Sequence, residues 1–190
     1  MGPSAFRVAG IHQAVRDLGI PVEDFGDIEA QVAETRDPGN PRLKYLREIL
    51  EVCEALRDRV GEALEAGATP VVLGGDHSVA MGTIAGLARH LHRRKEKLGL
   101  VWFDAHADAN TADTSPTGNI HGMPLAAALG LGAPSLVNLA GFSPMVDGSR
   151  AALVGIRDVD VAERANVRAS GIGAITMRDI DERGMRAVME

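Results

Sequence analysis

The sequence predicts an α/β protein with three layers, α/β/α, around a mostly parallel sheet. Three observations carry this reading. Short runs such as VVL (71–73), LVWF (100–103) and ALVGI (152–156) are apolar throughout, as strands covered on both faces are. Longer segments between them repeat apolar residues at helical spacing. Strand and helix also alternate along the chain, the order that builds parallel crossovers.

The elements follow in order. Residues 4–18 read as a helix, with Pro3 near its first turn. Residues 20–25 are a short strand candidate, and TRDPGNPR (35–42) is a Pro/Gly loop. Residues 43–66 form a long helix, with Leu46, Ile49, Leu50, Cys53, Leu56, Val60 and Leu64 on one stripe. A strand at 70–73, a helix at 79–92 and a strand at 98–103 come next. Beyond a long polar loop lie a strand at 152–156, a helix near 161–169, a strand at 172–176 and a helix from 179.

With 190 residues the chain is sized for one domain, 1–190, with a sizeable core. The last segment has helical periodicity without a Gly, Asn or Pro stop, and the first falls on a helix cap. The domain is therefore expected to be truncated at both ends and incomplete at the C-terminus. Apolar residues at 45% and charged residues at 24% fit a globular protein, and no apolar run reaches membrane-spanning length. A net charge of −6 argues against a nucleic-acid binder, so no nucleic-acid or membrane partner is expected. The start lacks a secretory pattern, and the single cysteine, Cys53, cannot pair internally; both fit a cytoplasmic protein.

Chemistry gathers where the strands end. In open parallel sheets ligands sit beyond the carboxyl ends of strands. GGDHS puts Asp76 and His77 after one strand, DAHAD puts Asp104, His106 and Asp108 after the next, and RDVD puts Arg157, Asp158 and Asp160 after a third. While the backbone stays extended, Asp104, His106 and Asp108 share a face. Carboxylates crowded at a strand end repel, so a cation is expected among them. Carboxylate and imidazole without thiolate suit Mn²⁺ or another hard divalent ion. Asp76 reads equally as a residue orienting a ligand or as a turn stabiliser. His12, His90 and His92 read as structural or solvated. His121, near the end of the polar loop, becomes a candidate proton shuttle beside a metal site.

GGDHS, DAHAD and GNIHG, in this order, resemble the ureohydrolases, the arginase and agmatinase superfamily. MGPSAFR and GMRAVME look like arginase segments too, so the resemblance covers nearly the whole chain. It implies an arginase-like fold and two Mn²⁺ ions, with His77 and Asp108 binding one, His106 the other, and Asp104 bridging. The implied reaction is hydrolysis of the guanidinium group of L-arginine to L-ornithine and urea. His121, as proton shuttle, and Asp108 are the implied catalytic residues. Asn110, Thr117 and Asn119 would hold the substrate carboxylate, and Asp160 and Glu163 its α-amino group. The implied partners are the small-molecule substrate and further copies of the chain, as a trimer or hexamer.

The family pattern also carries a later D-x-D pair of metal ligands and a later glutamate, which these 190 residues do not contain. Asp158 and Asp160 form a D-x-D, but the resemblance gives that segment to substrate recognition. Two alternatives stand beside the arginase reading. One is agmatinase or another guanidino-compound ureohydrolase; the other is a catalytically inactive arginase-like module.

Overall fold

Gly10 adopts φ 79°, a left-handed conformation that side chains disfavour, and it splits the helix expected at 4–18. The computed structural model, which describes residues 2–190 (Glu34 by its backbone only), has α1 at Gly2–Val8 and α2 at Ile11–Asp17. Residues 20–25 form no strand, contrary to expectation. The long helix α3 spans Leu46–Glu65 and buries Cys53, Leu56, Val60 and Ala63, largely the expected stripe. Helix α4 is Val79–Arg93. Then follow β1 (Leu100–Phe103), α5 (Pro124–Ala128), α6 (Pro134–Val137), β2 (Ala151–Ile156), α7 (Glu163–Ser170), β3 (Gly173–Thr176), α8 (Met177–Arg183) and α9 (Met185–Met189). Gly184, at φ 81°, separates the last two, where one continuous helix was expected.

The described sheet is parallel in the order β1-β2-β3, with Trp102 opposite Leu153 and Val154 opposite Ile175. Leu153 and Val154 point to opposite faces, and both are buried. The sheet is thus covered on both sides at β2, as a three-layer α/β fold requires. Helix α8 packs against β2 and β3. Met81, Ile84, Ala85 and Ala88 of α4 join Leu125 and Ala127 of α5, Trp102 and Leu153 in one apolar core.

Residues 70–73 stand as a correction to the expected strand: the segment has no ladder partner among the described residues, and Val71 is 80% exposed. An apolar run supplies the faces of a strand, but a strand also needs a neighbour for its N–H and C=O groups. On β1, the edge of the described sheet, Val101 and Phe103 are likewise exposed. Among the described residues, no helix is long and apolar enough to cross a membrane.

Close approach of α3 and α4 depends on two glycines one turn apart. A Cβ on Gly82 would lie 2.6 Å from the Cys53 carbonyl oxygen, and one on Gly86 2.7 Å from that of Arg57. Gly82→Ala is expected to cost about 1–3 kcal/mol by forcing the helices apart, read as a lower urea midpoint at unchanged slope.

Helix α8 begins with a reciprocal cap. Asp179 N–H donates to Thr176 Oγ1, and the Thr176 N–H and hydroxyl donate to Asp179 Oδ2 at 2.7 and 2.5 Å. The Thr176 hydroxyl first, then its N–H, holds the Asp179 carboxyl below its ordinary pKa. A lowered folded-state pKa contributes stability above the unfolded value of about 3.9 and loses it as pH falls through the folded value. Asp179→Asn is therefore expected to lower the thermal midpoint at neutral pH, with the gap to the parent closing as pH falls below about 4.

Candidate metal centre

Pairing between β1 and β2 does not stop with the strands. Asp104 N–H donates to the Val154 carbonyl at 3.2 Å, and the Ala105 carbonyl accepts from the N–H groups of Arg157 and Asp158 at 2.8 and 3.0 Å. The two strand ends thus carry their acidic segments forward side by side. The chain bends at Ala105, and Asp108 takes φ 48°, a left-handed value uncommon outside glycine. Asp108 therefore does not reach Asp104 by the continuous extended chain that alternate spacing had implied.

His77 comes from the turn before α4. Asp76 stabilises that turn by accepting the Ser78 N–H at 2.9 Å. His77 Nδ1 lies 2.7 Å from Asp108 Oδ2 and 3.0 Å from Asp104 Oδ2. One ligand atom from each of the three side chains falls within 4.8 Å of the others. The hydrogen bond to Asp108 raises the His77 pKa above its ordinary value, aided by the charges of Asp108 and Asp104 and opposed by burial. The far side of the ring is fixed by Trp102, whose centroid is 4.3 Å away at a 31° tilt.

His106 stands apart from this trio, its side chain 62% exposed. Its Nδ1 is 3.5 Å from Asp104 Oδ1, while Asp104 Oδ2 faces His77. Asp104 thus turns one oxygen toward each histidine, and its Oδ1 also accepts the His106 backbone N–H at 3.0 Å. His106 Nε2 is 3.9 Å from Asp158 Oδ2, on a side chain that is 81% exposed. Two carboxylates and imidazoles, with the sole cysteine buried elsewhere at Cys53, make a donor set that fits a hard divalent cation such as Mn²⁺.

The loop beyond Asp108 is tied down atom by atom. The Asp108 carbonyl accepts from Leu125 and Ala126 N–H, at the start of α5. Glu163, only 3% exposed, accepts Ala109 N–H through Oε1 at 2.7 Å and Asp160 N–H through Oε2 at 3.1 Å. Burial raises the Glu163 pKa, against those two N–H groups, which favour the carboxylate. Asn166 Nδ2 donates to the Ala109 carbonyl at 2.8 Å. Asn110 N–H donates to the Gly122 carbonyl, and its side chain donates to Asp160 Oδ2 at 2.9 Å and accepts from the Thr114 hydroxyl at 2.9 Å.

The structure brings Asn110, Asp160 and Glu163 into one network behind Asp108. Thr117 is exposed, and its Oγ1 accepts the Asn119 N–H at 3.2 Å. Asn119 pairs as an isolated bridge with Lys44. His121 is exposed in the 3-10 turn Ile120–Gly122 and, among the described residues, is not part of the group that could share a metal ion with His77. Sequence reasoning missed Asn166 and the tilted ring contact of Trp102. Only Asn166 left a trace, three residues after Glu163 on the same helix face.

All 190 residues match the model of the Arginase family. The arginase of Bacillus caldovelox is 46% identical over 191 aligned positions, which cover 100% of this chain and 62% of that protein. The arginase of Bacillus subtilis strain 168 is 44% identical over 190 positions, with 100% and 62% covered. The native Bacillus caldovelox arginase structure superposes with a TM-score of 0.93 over 100% of this chain and 62% of that one. The Entamoeba histolytica arginase, solved in complex with L-ornithine, is 31% identical with a TM-score of 0.81, over 99% of this chain and 62% of that one. The chain spans about three-fifths of the length of the relatives it matches. Sequence and fold agree over its whole length, and the chain belongs to the arginase family.

Proposed function

We propose that the protein is a manganese-dependent hydrolase that converts L-arginine and water to L-ornithine and urea. The observation that carries this reading is the convergence of His77, Asp104 and Asp108 beside the Asn110–Asp160 network. In this reading His77 and Asp108 would hold one Mn²⁺, His106 would hold a second, and Asp104 would be a ligand to both. Bound manganese supplies Lewis acidity and a water acidic enough to be a nucleophile near neutral pH. Asn110, Thr117 and Asn119 receive the substrate carboxylate. Asp160 faces the α-amino group, and Glu163 acts behind it by holding the Asp160 backbone N–H. Cleavage leaves an amine that needs a proton, which His121 is exposed to relay from solvent. The L-ornithine bound by the Entamoeba histolytica relative supports the choice of amino-acid substrate. We further place the protein in the cytoplasm, as a homo-oligomer (trimer or hexamer).

Urea release from L-arginine is expected to require Mn²⁺, to stop on treatment with a chelator and to return on re-addition. Absence of urea from the full-length gene product loaded with Mn²⁺ overturns the assignment.

Agmatine lacks the carboxylate and would leave the loop's donors unpaired, so arginine is expected to be the better substrate by a wide margin. Asn110→Ala is expected to reduce turnover of arginine roughly tenfold more than that of agmatine. Equal turnover of both by the parent protein would favour a broader guanidino-compound hydrolase.

A further inference from the structure

The peptide groups that follow Asp108 are held from one face of α7. Glu163 Oε1 accepts the Ala109 N–H at 2.7 Å, and Asn166 Nδ2 donates to the Ala109 carbonyl at 2.8 Å. The two side chains, three residues apart on a helix, grip the donor and the acceptor of a single residue. Across the preceding peptide bond, the Asp108 carbonyl is held by Leu125 and Ala126 N–H. Glu163 with the Leu125 and Ala126 N–H groups thus binds both polar groups of the Asp108–Ala109 peptide plane, and Asn166 with the Gly122 carbonyl, which accepts the Asn110 N–H, binds both of the Ala109–Asn110 plane that follows. The two bound planes together fix the path of the chain leaving Asp108, which sits at the strained φ of 48°. Asp108 in turn aims Oδ2 at His77 Nδ1, 2.7 Å away.

We propose that Asn166, acting with Glu163, is a positioning residue that holds Asp108 in its left-handed conformation and so sets the affinity of the metal position formed by His77, Asp104 and Asp108. The inference rests on reading those three as a metal centre. Asn166 also lies 3.4 Å from Thr114 Oγ1, which donates to Asn110. One helix side chain therefore steadies both a metal ligand and the neighbouring residue assigned to the substrate carboxylate. Groups of this kind behind a ligand typically change metal affinity ten- to a hundredfold.

The test is calorimetric titration of the 190-residue chain with MnCl₂, with far-UV circular dichroism as the check on folding. The parent is expected to bind Mn²⁺, and His77→Ala to bind it more weakly. Asn166→Ala is expected to lose roughly tenfold in affinity. Asn166→Asp has the same shape but sets a carboxylate oxygen against the Ala109 carbonyl, and it is expected to bind more weakly than Asn166→Ala. A packing role alone predicts the reverse order, since aspartate preserves volume. Asn166 is half-buried at the surface of α7, so Asn166→Ala leaves the core intact and carries the test if Asn166→Asp does not fold.

If the parent and His77→Ala behave as stated while both Asn166 variants bind like the parent, the positioning role is overturned and the metal centre stands. Asn166→Asp binding as well as the parent also overturns it. If the parent does not bind Mn²⁺, or His77→Ala binds equally, the metal reading itself fails and takes this inference with it.

Discussion

The site hangs on one backbone constraint: Asp108 must occupy left-handed space inside a buried loop. A non-glycine residue there costs free energy, and a buried loop must also pair every polar group it carries. From the Asp108 carbonyl to the Asn110 N–H, each backbone donor and acceptor has a partner, drawn from α5, from α7 and from the turn at Gly122. Those partners come from segments distant in sequence, so the loop takes its shape only when the whole domain has assembled. The acidic residues are then presented together by the fold as a unit, and not by any local sequence preference.

Charge balance shapes the same region in two contrasting ways. Asp104 and Asp108 converge on one point with only an imidazole between them, and the hydrogen bond to Asp108, aided by the charges of both, raises the pKa of His77. That excess of negative charge invites a cation. Glu163 is more deeply buried than either, yet both of its oxygens are taken by backbone N–H groups. Glu163 is thereby a structural acceptor through both oxygens, whereas Asp104 gives Oδ1 to the His106 backbone N–H and turns Oδ2 to His77. Burial alone does not separate the two roles; the identity of the donors does.

Much of this could be read in the sequence, for physical reasons that can be named. DAHAD after an apolar strand and GGDHS after another apolar run mark chain segments surfacing at one edge, and the fold brings His77, Asp104 and Asp108 together there. The convergence of Asp108 was foreseen, but its route was not. Alternate spacing assumes extended backbone, and nothing in ADA (107–109) announces a left-handed turn. His106 was foreseen beside Asp104, and it lies there at 3.5 Å, outside the tight trio. The 70–73 segment shows the limit of apolar patterning, because a ladder partner is a property of the tertiary structure. Gly10 and Gly184 were each passed over as breaks, since helical periodicity continues across them while their backbones turn left-handed. Asn166 escaped notice because its one trace, a spacing of three residues from Glu163 on a helix, does not say what it touches.

Trp102 is the sole tryptophan of the chain, and its ring lies 4.3 Å from that of His77. The intrinsic indole emission of the molecule therefore comes from a single ring in contact with one imidazole. Imidazolium quenches indole emission far more than neutral imidazole does, and a paramagnetic ion at that distance quenches it as well. The chain thus carries its own optical gauge of the His77 ring, free of background from any second indole.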